Sequence, residues 1–414
     1  MNEQRERVII VGVETEANYQ HFKGSMAELT RLTETANGDV VYSMVQKRSK
    51  FDRQTLIGKG KLSELKLLVT AYEADLVVFN HELSPRQSQL LSDAVAVRVI
   101  DRVQLILDIF ALRARSKEGK LQVELAQLNY LLPRLAGQGQ HLSRLGGGIG
   151  TRGPGETKLE TDRRHIRDKI FAIKRELKAV SAHRARSREK RQNSDLFQIG
   201  LIGYTNAGKS TIMNELTASD TYSQDQLFAT LDPLTKKWQL PQGMIVTLTD
   251  TVGFIQDLPT QLIEAFQSTL EESRGMDLLL HVVDVSASDR LQQEQTVLQL
   301  LKELALDKIP LLTIYNKSDQ LSPGTFLPTL FPNLLLSAKL PADKKRLIQA
   351  IRSQMMELLF PYQFEVSADQ GAVLSELKRH TLLLSDMYQA KTNSYLVKGF
   401  AKKGSRWVSH SENA

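Results

Sequence analysis

The chain has 414 residues, more than a single hydrophobic core ordinarily serves, so two or three domains are expected. It contains no cysteine, which excludes a disulfide framework and any thiolate metal site, and its eight histidines include no ligand-spaced pair. The net charge of +7 is uneven: between Glu156 and Asp195 there are thirteen Lys and Arg against seven Asp and Glu, which places +6 in that stretch.

The first residues, MNEQRERVIIVGVE, hold only a short apolar run and suit a first strand better than a secretion signal. No apolar run approaches the ~20 residues that span a bilayer. The longest, Val103–Leu112 and Leu278–Val285, read as buried elements. A cytoplasmic chain without stable membrane insertion is expected, at most peripheral at a membrane.

From residue 6 to residue 110, strand-like runs (Val8–Val13, Asp39–Val45, Asp75–Phe79, Val97–Ile100) alternate with helical ones (Met26–Thr35, Leu62–Tyr72, Pro85–Ala94). Such alternation predicts a parallel sheet covered by helices. The loop Ile57-Gly-Lys-Gly-Lys61 before the second helix reads equally as a small anion nest, with ATP as a ligand to consider, and as a glycine turn with solvated lysines.

The period then changes. Leu121, Leu125, Leu128, Leu132 and Leu135 step by four and three, as do Ile166, Ile170, Ile173, Leu177 and Val180. Two such seams predict an antiparallel helical hairpin. Pro133 is expected to end or kink the first helix. Residues 137–155, with Gly146-Gly-Gly-Ile-Gly-Thr-Arg-Gly-Pro-Gly155, are expected to form its tip. The tip carries Arg144 and Arg152 but no aromatic residue, so an RNA contact there would use shape, backbone and arginine rather than base stacking. A charge run is usually a solvated helix face, and that reading stands beside the nucleic-acid one.

An apolar run, Leu196–Ile202, leads into Gly203-Tyr-Thr-Asn-Ala-Gly-Lys-Ser210 and a helical segment, Lys209–Thr217. This is a phosphate loop in its strand-loop-helix context. The N–H groups of Gly203, Tyr204, Thr205, Asn206, Ala207 and Gly208 and the helix start, with Thr211, make an anion site. Lys209 adds a charge for the β- and γ-phosphates, and Ser210 is a Mg²⁺ ligand.

Four further motifs follow in order: Leu227-Phe-Ala-Thr-Leu-Asp-Pro233, Thr247-Leu-Thr-Asp-Thr-Val-Gly-Phe254, Leu312-Thr-Ile-Tyr-Asn-Lys-Ser-Asp319 and Leu336-Ser-Ala-Lys339. Thr230, with Phe228 and Ala229 beside it, completes the Mg²⁺ shell, and Asp250 holds the ion through a water. Gly253 meets the γ-phosphate, so both loops switch with GTP hydrolysis. Lys209, Thr230 and Gly253 are the expected catalytic contacts.

Asn316, Lys317 and Asp319, with Ser337, Ala338 and Lys339, predict guanine: a carboxylate pairs with N1–H and the 2-amino group, and adenine leaves it unpaired. GTP and GDP are the expected ligands. Phe254 stands where many GTPases carry a water-orienting Gln. Either unaided hydrolysis is slow, or Phe254 only packs and another residue orients water; in both cases a stimulating partner is expected.

Beyond a closing helix, Lys344–Leu359, the stretches Tyr362–Val366, Ala372–Leu384 and Ser394–Phe400 read as strand, helix and strand. Lys402–Trp407 reads as a frayed basic end in preference to a second nucleic-acid contact.

Ile57–Lys61, Glu82-Leu-Ser-Pro85, Lys120-Leu-Gln-Val-Glu-Leu-Ala-Gln-Leu128, Gly146–Arg164 and Phe228–Pro233 together resemble the HflX-type GTPases of the Obg-HflX superfamily, over residues 6–360. The tail matches only loosely, and no glycine follows Ser337-Ala-Lys339. The resemblance implies a cytoplasmic GTPase that binds the large (50S) ribosomal subunit, is stimulated there, and helps to split or rescue stalled or idle ribosomes; a monomer is expected. It associates the Gly146–Gly155 loop with ribosomal RNA near the peptidyl-transferase region. A GTP-dependent switch for a protein or membrane partner, without RNA binding, is the alternative.

The expected architecture is α/β: an N-terminal α/β domain (1–110), a helical hairpin (111–195), a P-loop GTPase domain with a mixed, mostly parallel sheet (196–360) and a small α+β tail (361–414).

Overall fold

A computed structural model describes residues 5–142, 154–192, 196–217, 228, 233–255, 271–322, 324 and 326–408. Its contacts fall into two units, one built on residues 1–181 and the other on most of the chain from residue 182 onward.

In the first unit β1 (Glu6–Glu14), β2 (Gly38–Lys47), β3 (Leu76–Phe79) and β4 (Arg98–Asp101) form a parallel sheet in the order β2-β1-β3-β4. The helices α1 (Tyr19–Thr35), α2 (Lys59–Ala71) and α3 (Pro85–Val95) connect them, as the alternation predicts. β1 and β3 are buried throughout their central residues, which is why they read as unbroken apolar runs.

The Glu82-Leu-Ser-Pro85 motif has a local reason. Ser84 caps α3 in a capping box with Gln87, and Pro85 takes the first helical turn. In the Ile57–Lys61 loop, Gly58 N–H donates to Gln46 Oε1 at 2.9 Å and Lys61 pairs with Glu64 at 2.7 Å.

Two helices extend from this sheet after α4 (Arg102–Arg113). They are α5 (Lys117–Leu142) and α6 (Pro154–Gln192), antiparallel and tied by Lys117–Glu176 and Lys169–Glu124, both at 2.5 Å. The α6 seam runs as predicted, with Ile173 buried and Ile166, Ile170, Leu177 and Val180 half-buried between exposed positions.

For α5 the helix boundary differs from expectation. Pro133 does not end the helix, which continues to Leu142. Consequently the residues between the helices are fewer than 137–155, and residues 143–153, with Arg144, Arg152 and most of the glycine run, lie outside the described ones. Helix α5 also packs beyond the hairpin, against α3 and α4. Among the described side chains of α5 the deeply buried residues are Glu118, Gly119, Gln122, Val123, Ala126 and Tyr130, while the leucine seam is half-buried.

This packing is polar at one point, where Asp101 is fully buried. Its carboxylate accepts from Leu83 N–H at 2.9 Å, Gln104 N–H at 2.9 Å, the Tyr130 hydroxyl at 2.8 Å and Arg134 at 3.1 Å. One side chain therefore caps α4 and fastens α5 to the sheet.

The second unit holds a six-stranded sheet in the order β10-β9-β8-β5-β7-β6. β5 (Phe197–Gly203), β7 (Ile245–Asp250), β8 (Leu278–Asp284), β9 (Leu311–Asn316) and β10 (Asn333–Leu335) are parallel. β6 (Leu234–Gln239), which the sequence reading missed, is antiparallel to β7. The helices α7 (Lys209–Thr217), α8 (Arg290–Glu303) and α9 (Pro341–Leu358) belong to this unit. Its core runs from Ile199 and Leu201 through Ile212 and Leu280 to Ile351 and Met355.

The tail is a three-stranded antiparallel sheet, β11 (Phe360–Ser367), β13 (Ser394–Ala401) and β12 (Leu382–Gln389) in that spatial order, with α10 (Gly371–His380). The helix expected to reach Leu384 stops at His380, and Leu382 begins a strand. The end is not frayed at Trp407, which is buried and stacks on Phe364 with ring centroids 6.2 Å apart. Lys402 pairs with Asp277 at 2.9 Å.

The α/β class, the P-loop domain on a mixed sheet, the helical region before it and the β-containing tail all agree with expectation.

Candidate functional site

β5 ends at Gly203 and α7 begins at Lys209, so Gly203–Gly208 must turn from a buried strand into a helix. Two glycines make this possible. Gly203 has φ 148° and a Cβ there would stand 2.2 Å from the Val282 carbonyl oxygen; Gly208 has φ 100° and a Cβ would stand 2.2 Å from the Asn316 side-chain nitrogen. Asn206, with φ 62°, uses the tolerance of Asn for the left-handed region. The Thr205 hydroxyl is buried in this loop with no hydrogen-bond partner among the described residues.

The Lys209 ammonium, buried, donates to the Gly203 and Tyr204 carbonyls at 3.1 and 2.9 Å. Burial pulls its pKa down to about 8, with Asp250 opposing. Asp250 reaches it because β7 lies beside β5, with Asp250 opposite Leu201 in register. The Ser210 hydroxyl donates to Asp250 Oδ2 at 2.7 Å.

Gly253 lies against the same loop. A Cβ there would meet Thr205 Cγ2 at 2.8 Å and Lys209 Nζ at 3.0 Å. The Phe254 peptide is bonded to the loop in both directions: Thr205 N–H donates to Phe254 O at 2.7 Å, and Phe254 N–H donates to Gly203 O at 3.1 Å. The Phe254 ring is buried.

The other end of the site is closed by Asn316, whose amide donates to Ala207 O at 2.9 Å and accepts from Ala338 N–H at 2.9 Å. Ser337 N–H is held by Asp343 at 2.8 Å, and Lys317 by Asp284 at 2.7 Å. A cavity of about 290 Å³ opens here. Of the expected residues, Asn206, Gly208, Thr211, Asn316, Lys317, Asp319, Ser337, Ala338 and Lys339 line it, so segments more than a hundred residues apart in sequence converge. Gln320 lines it too, which the sequence reading missed; its one signal is its place next to Asp319.

Ala229 and Thr230 lie outside the described residues. Phe228 groups with the first unit, buried edge-on against Phe110 with centroids 4.5 Å apart, and does not line the cavity. The sequence around Phe228 carried no signal for that partner, because Phe110 is a core residue of a different element.

Three family models match consecutive parts of the chain. They describe a GTP-binding GTPase N-terminal region at residues 23–111, a GTP-binding GTPase middle region at 113–191 and a 50S ribosome-binding GTPase at 198–317. The GTPase HflX of Alkalihalophilus pseudofirmus is 51% identical over 397 residues, 96% of this chain and 94% of that one. The chain belongs to the HflX family of GTPases. The HflX of Escherichia coli is 41% identical, over 84% of this chain and 83% of that one. A crystal structure of SsGBP with GDP superposes with a TM-score of 0.49 and 24% identity, covering 85% of this chain and 99% of that one.

As an HflX-family GTPase the chain binds guanine nucleotide and hydrolyses GTP. The resemblance carried by the motifs of residues 6–360 is therefore the family itself. Among the described residues no helix is long and apolar enough to cross a membrane.

Proposed function

We propose that this chain holds GTP between the Gly203–Ser210 loop and the Asn316–Asp319 and Ser337–Lys339 segments, and uses its hydrolysis to time action on the 50S ribosomal subunit. The observation that carries the nucleotide part is the cavity in which Gly208, Asn316, Asp319 and Ala338 meet. The Asp319 carboxylate accepts from guanine N1–H and the 2-amino group, Lys317 lies over the base and Ala338 N–H meets O6. The Gly203–Gly208 N–H groups and the start of α7 take the phosphates, with the Thr205 hydroxyl, unpartnered among the described residues, beside them. Lys209 adds charge at the β- and γ-phosphates.

The oxygens of Ser210 and Asp250, 2.7 Å apart, are a hard-donor pair of the kind Mg²⁺ takes beside phosphate. Ser210, Asp250 and Thr230 would hold that ion, which when bound would offset charge on the transferring phosphoryl group. Gly253 and Thr230 contact the γ-phosphate and register its loss.

The buried Phe254 offers no hydrogen bond to a nucleophilic water, which supports slow unaided turnover and stimulation by a partner. That partner, in this reading, is the ribosome. Support comes from the 50S ribosome-binding family model and from α6, where Arg164, Arg167, Lys174, Arg175 and Lys178 are exposed on a helix of strong positive charge. The hairpin and the glycine-rich loop contact ribosomal RNA, and the outcome is splitting or rescue of stalled or idle ribosomes by a cytoplasmic monomer.

GTP turnover measured with and without 50S subunits, together with pelleting in a GTP analogue and in GDP, tests this. Stimulation, tighter binding with the analogue and a steep loss with salt are expected. Absence of stimulation and equal binding in both states would remove the ribosome as partner, and a salt-insensitive interaction would favour a protein or membrane partner.

A further inference from the structure

Asp284 closes β8 directly opposite Asn316 in the parallel register of β8 and β9, and the next peptide is locked to it, with Val285 N–H donating to Asn316 O at 3.1 Å. The two carboxylate oxygens have separate tasks. Oδ1 accepts from Ser286 N–H at 2.9 Å, which fixes the side chain, and Oδ2 accepts from the Lys317 ammonium at 2.7 Å. Both side chains are mostly shielded, 17% and 22% exposed, so the pair is screened less than a surface ion pair.

Lys317 needs such a hold. Its backbone sits at φ 66°, where L side chains are disfavoured, and its four-carbon stem is free to rotate. Fixing the ammonium at one end and the strand at the other leaves the stem as a wall of the nucleotide cavity.

We propose that Asp284 is a positioning residue for guanine-nucleotide recognition: it holds Lys317 so that the lysine stem covers the purine plane. This rests on the base assignment made above for Asn316–Asp319. Three consequences follow from the geometry. GTP and GDP depend on Asp284 equally, because it serves the base end of the cavity and not the phosphate end. The stem covers a ring face and does not read ring substituents, so inosine diphosphate, which lacks the 2-amino group, loses as much as GDP. Once nucleotide is bound, turnover is unaffected.

The test measures binding of GDP and of inosine diphosphate to the full chain and to Asp284→Ala, Asp284→Asn and Asp284→Glu, with thermal midpoint and turnover at saturating GTP. Asp284→Ala is expected to weaken both diphosphates about tenfold, the scale of one charge-assisted hydrogen bond. Asp284→Asn should weaken them less, and Asp284→Glu should recover part of the loss. The GDP to inosine diphosphate ratio and saturated turnover should stay within twofold of the parent, and the thermal midpoint within about 2 °C of it. Asp319→Asn is the contrast, since it should change that ratio.

Unchanged GDP binding in both Asp284→Ala and Asp284→Asn would overturn the proposal. So would a loss confined to GDP, or a loss in Asp284→Asn matched by an equal fall in turnover and midpoint. Failure of the parent chain to bind GDP would instead overturn the base assignment itself, so the two failures are distinct.

Discussion

The Asn316 side-chain amide donates to the carbonyl oxygen of Ala207 at 2.9 Å, so the end of β9 is hydrogen-bonded to the loop that opens α7. Its oxygen accepts from Ala338 N–H, and three segments are thus fixed by one side chain. Asn316→Ala should cost about 1–3 kcal/mol of stability, since it strands a buried carbonyl and an N–H, and should weaken GDP more than tenfold. Chemical denaturation and GDP titration check the two effects separately. Loss of one without the other would show that Asn316 does not join the segments.

His281 on β8 is buried, with Nδ1 unpartnered among the described residues. Burial, with Lys209 nearby, pulls its pKa from 6.5 down to about 4. In the unfolded chain it takes a proton near its ordinary value, while in the folded chain it does not until far lower. Between about 6.5 and about 4 the unfolded state therefore binds more protons, and folding stability falls as pH falls through that window. The expected contribution is on the order of 3 kcal/mol. His281→Leu should lack this component, so parent and variant should diverge across the window and run parallel below it, as read by denaturant midpoints at each pH.

Asp101 is the buried junction of β4, α4 and α5, and Asp101→Ala leaves the Arg134 guanidinium, the Tyr130 hydroxyl and two N–H groups without their acceptor. A loss of about 3–5 kcal/mol is expected. Tyr130→Phe removes only one bond to the same carboxylate and should cost about 1–2 kcal/mol. Hydrogen exchange in α5 should rise in both, and more in the first.

Trp407 distinguishes an ordered tail from a frayed one. Trp407→Ala should destabilise the C-terminal sheet by about 3–5 kcal/mol, the cost of emptying a buried aromatic site. A small effect, read by chemical denaturation, would return the tail to the frayed description.

The elements that the sequence revealed are those whose signal is local. β1, β3, β5 and β8 are buried runs bounded by turns, the α6 seam is periodic, and the Gly203–Ser210 loop has its glycines at fixed offsets. The misses have physical causes as well. β6 reads Leu-Thr-Lys-Lys-Trp-Gln because it is an edge strand with one face outward, so it has no continuous apolar run. β12 begins with Leu382-Leu-Leu just after α10 ends at His380, and that run by itself fits helix and strand alike. Pro133, expected to end or kink α5, lies inside a helix that runs on to Leu142 and packs on α3 and α4.

By itself the sequence determined the α/β class, the strand-loop-helix around Gly203–Ser210 and the family, because each is written in neighbouring residues whose spacing the backbone fixes. Tertiary structure alone decided which distant residues share a task. The bond from Asn316 to Ala207, the ion pair from Asp284 to Lys317, the packing of Phe228 on Phe110 and the four bonds received by Asp101 all arise where strand register and helix packing bring separate segments within a few ångströms. No periodicity encodes such meetings, since they depend on which strands neighbour each other and not on what lies beside a residue in the chain.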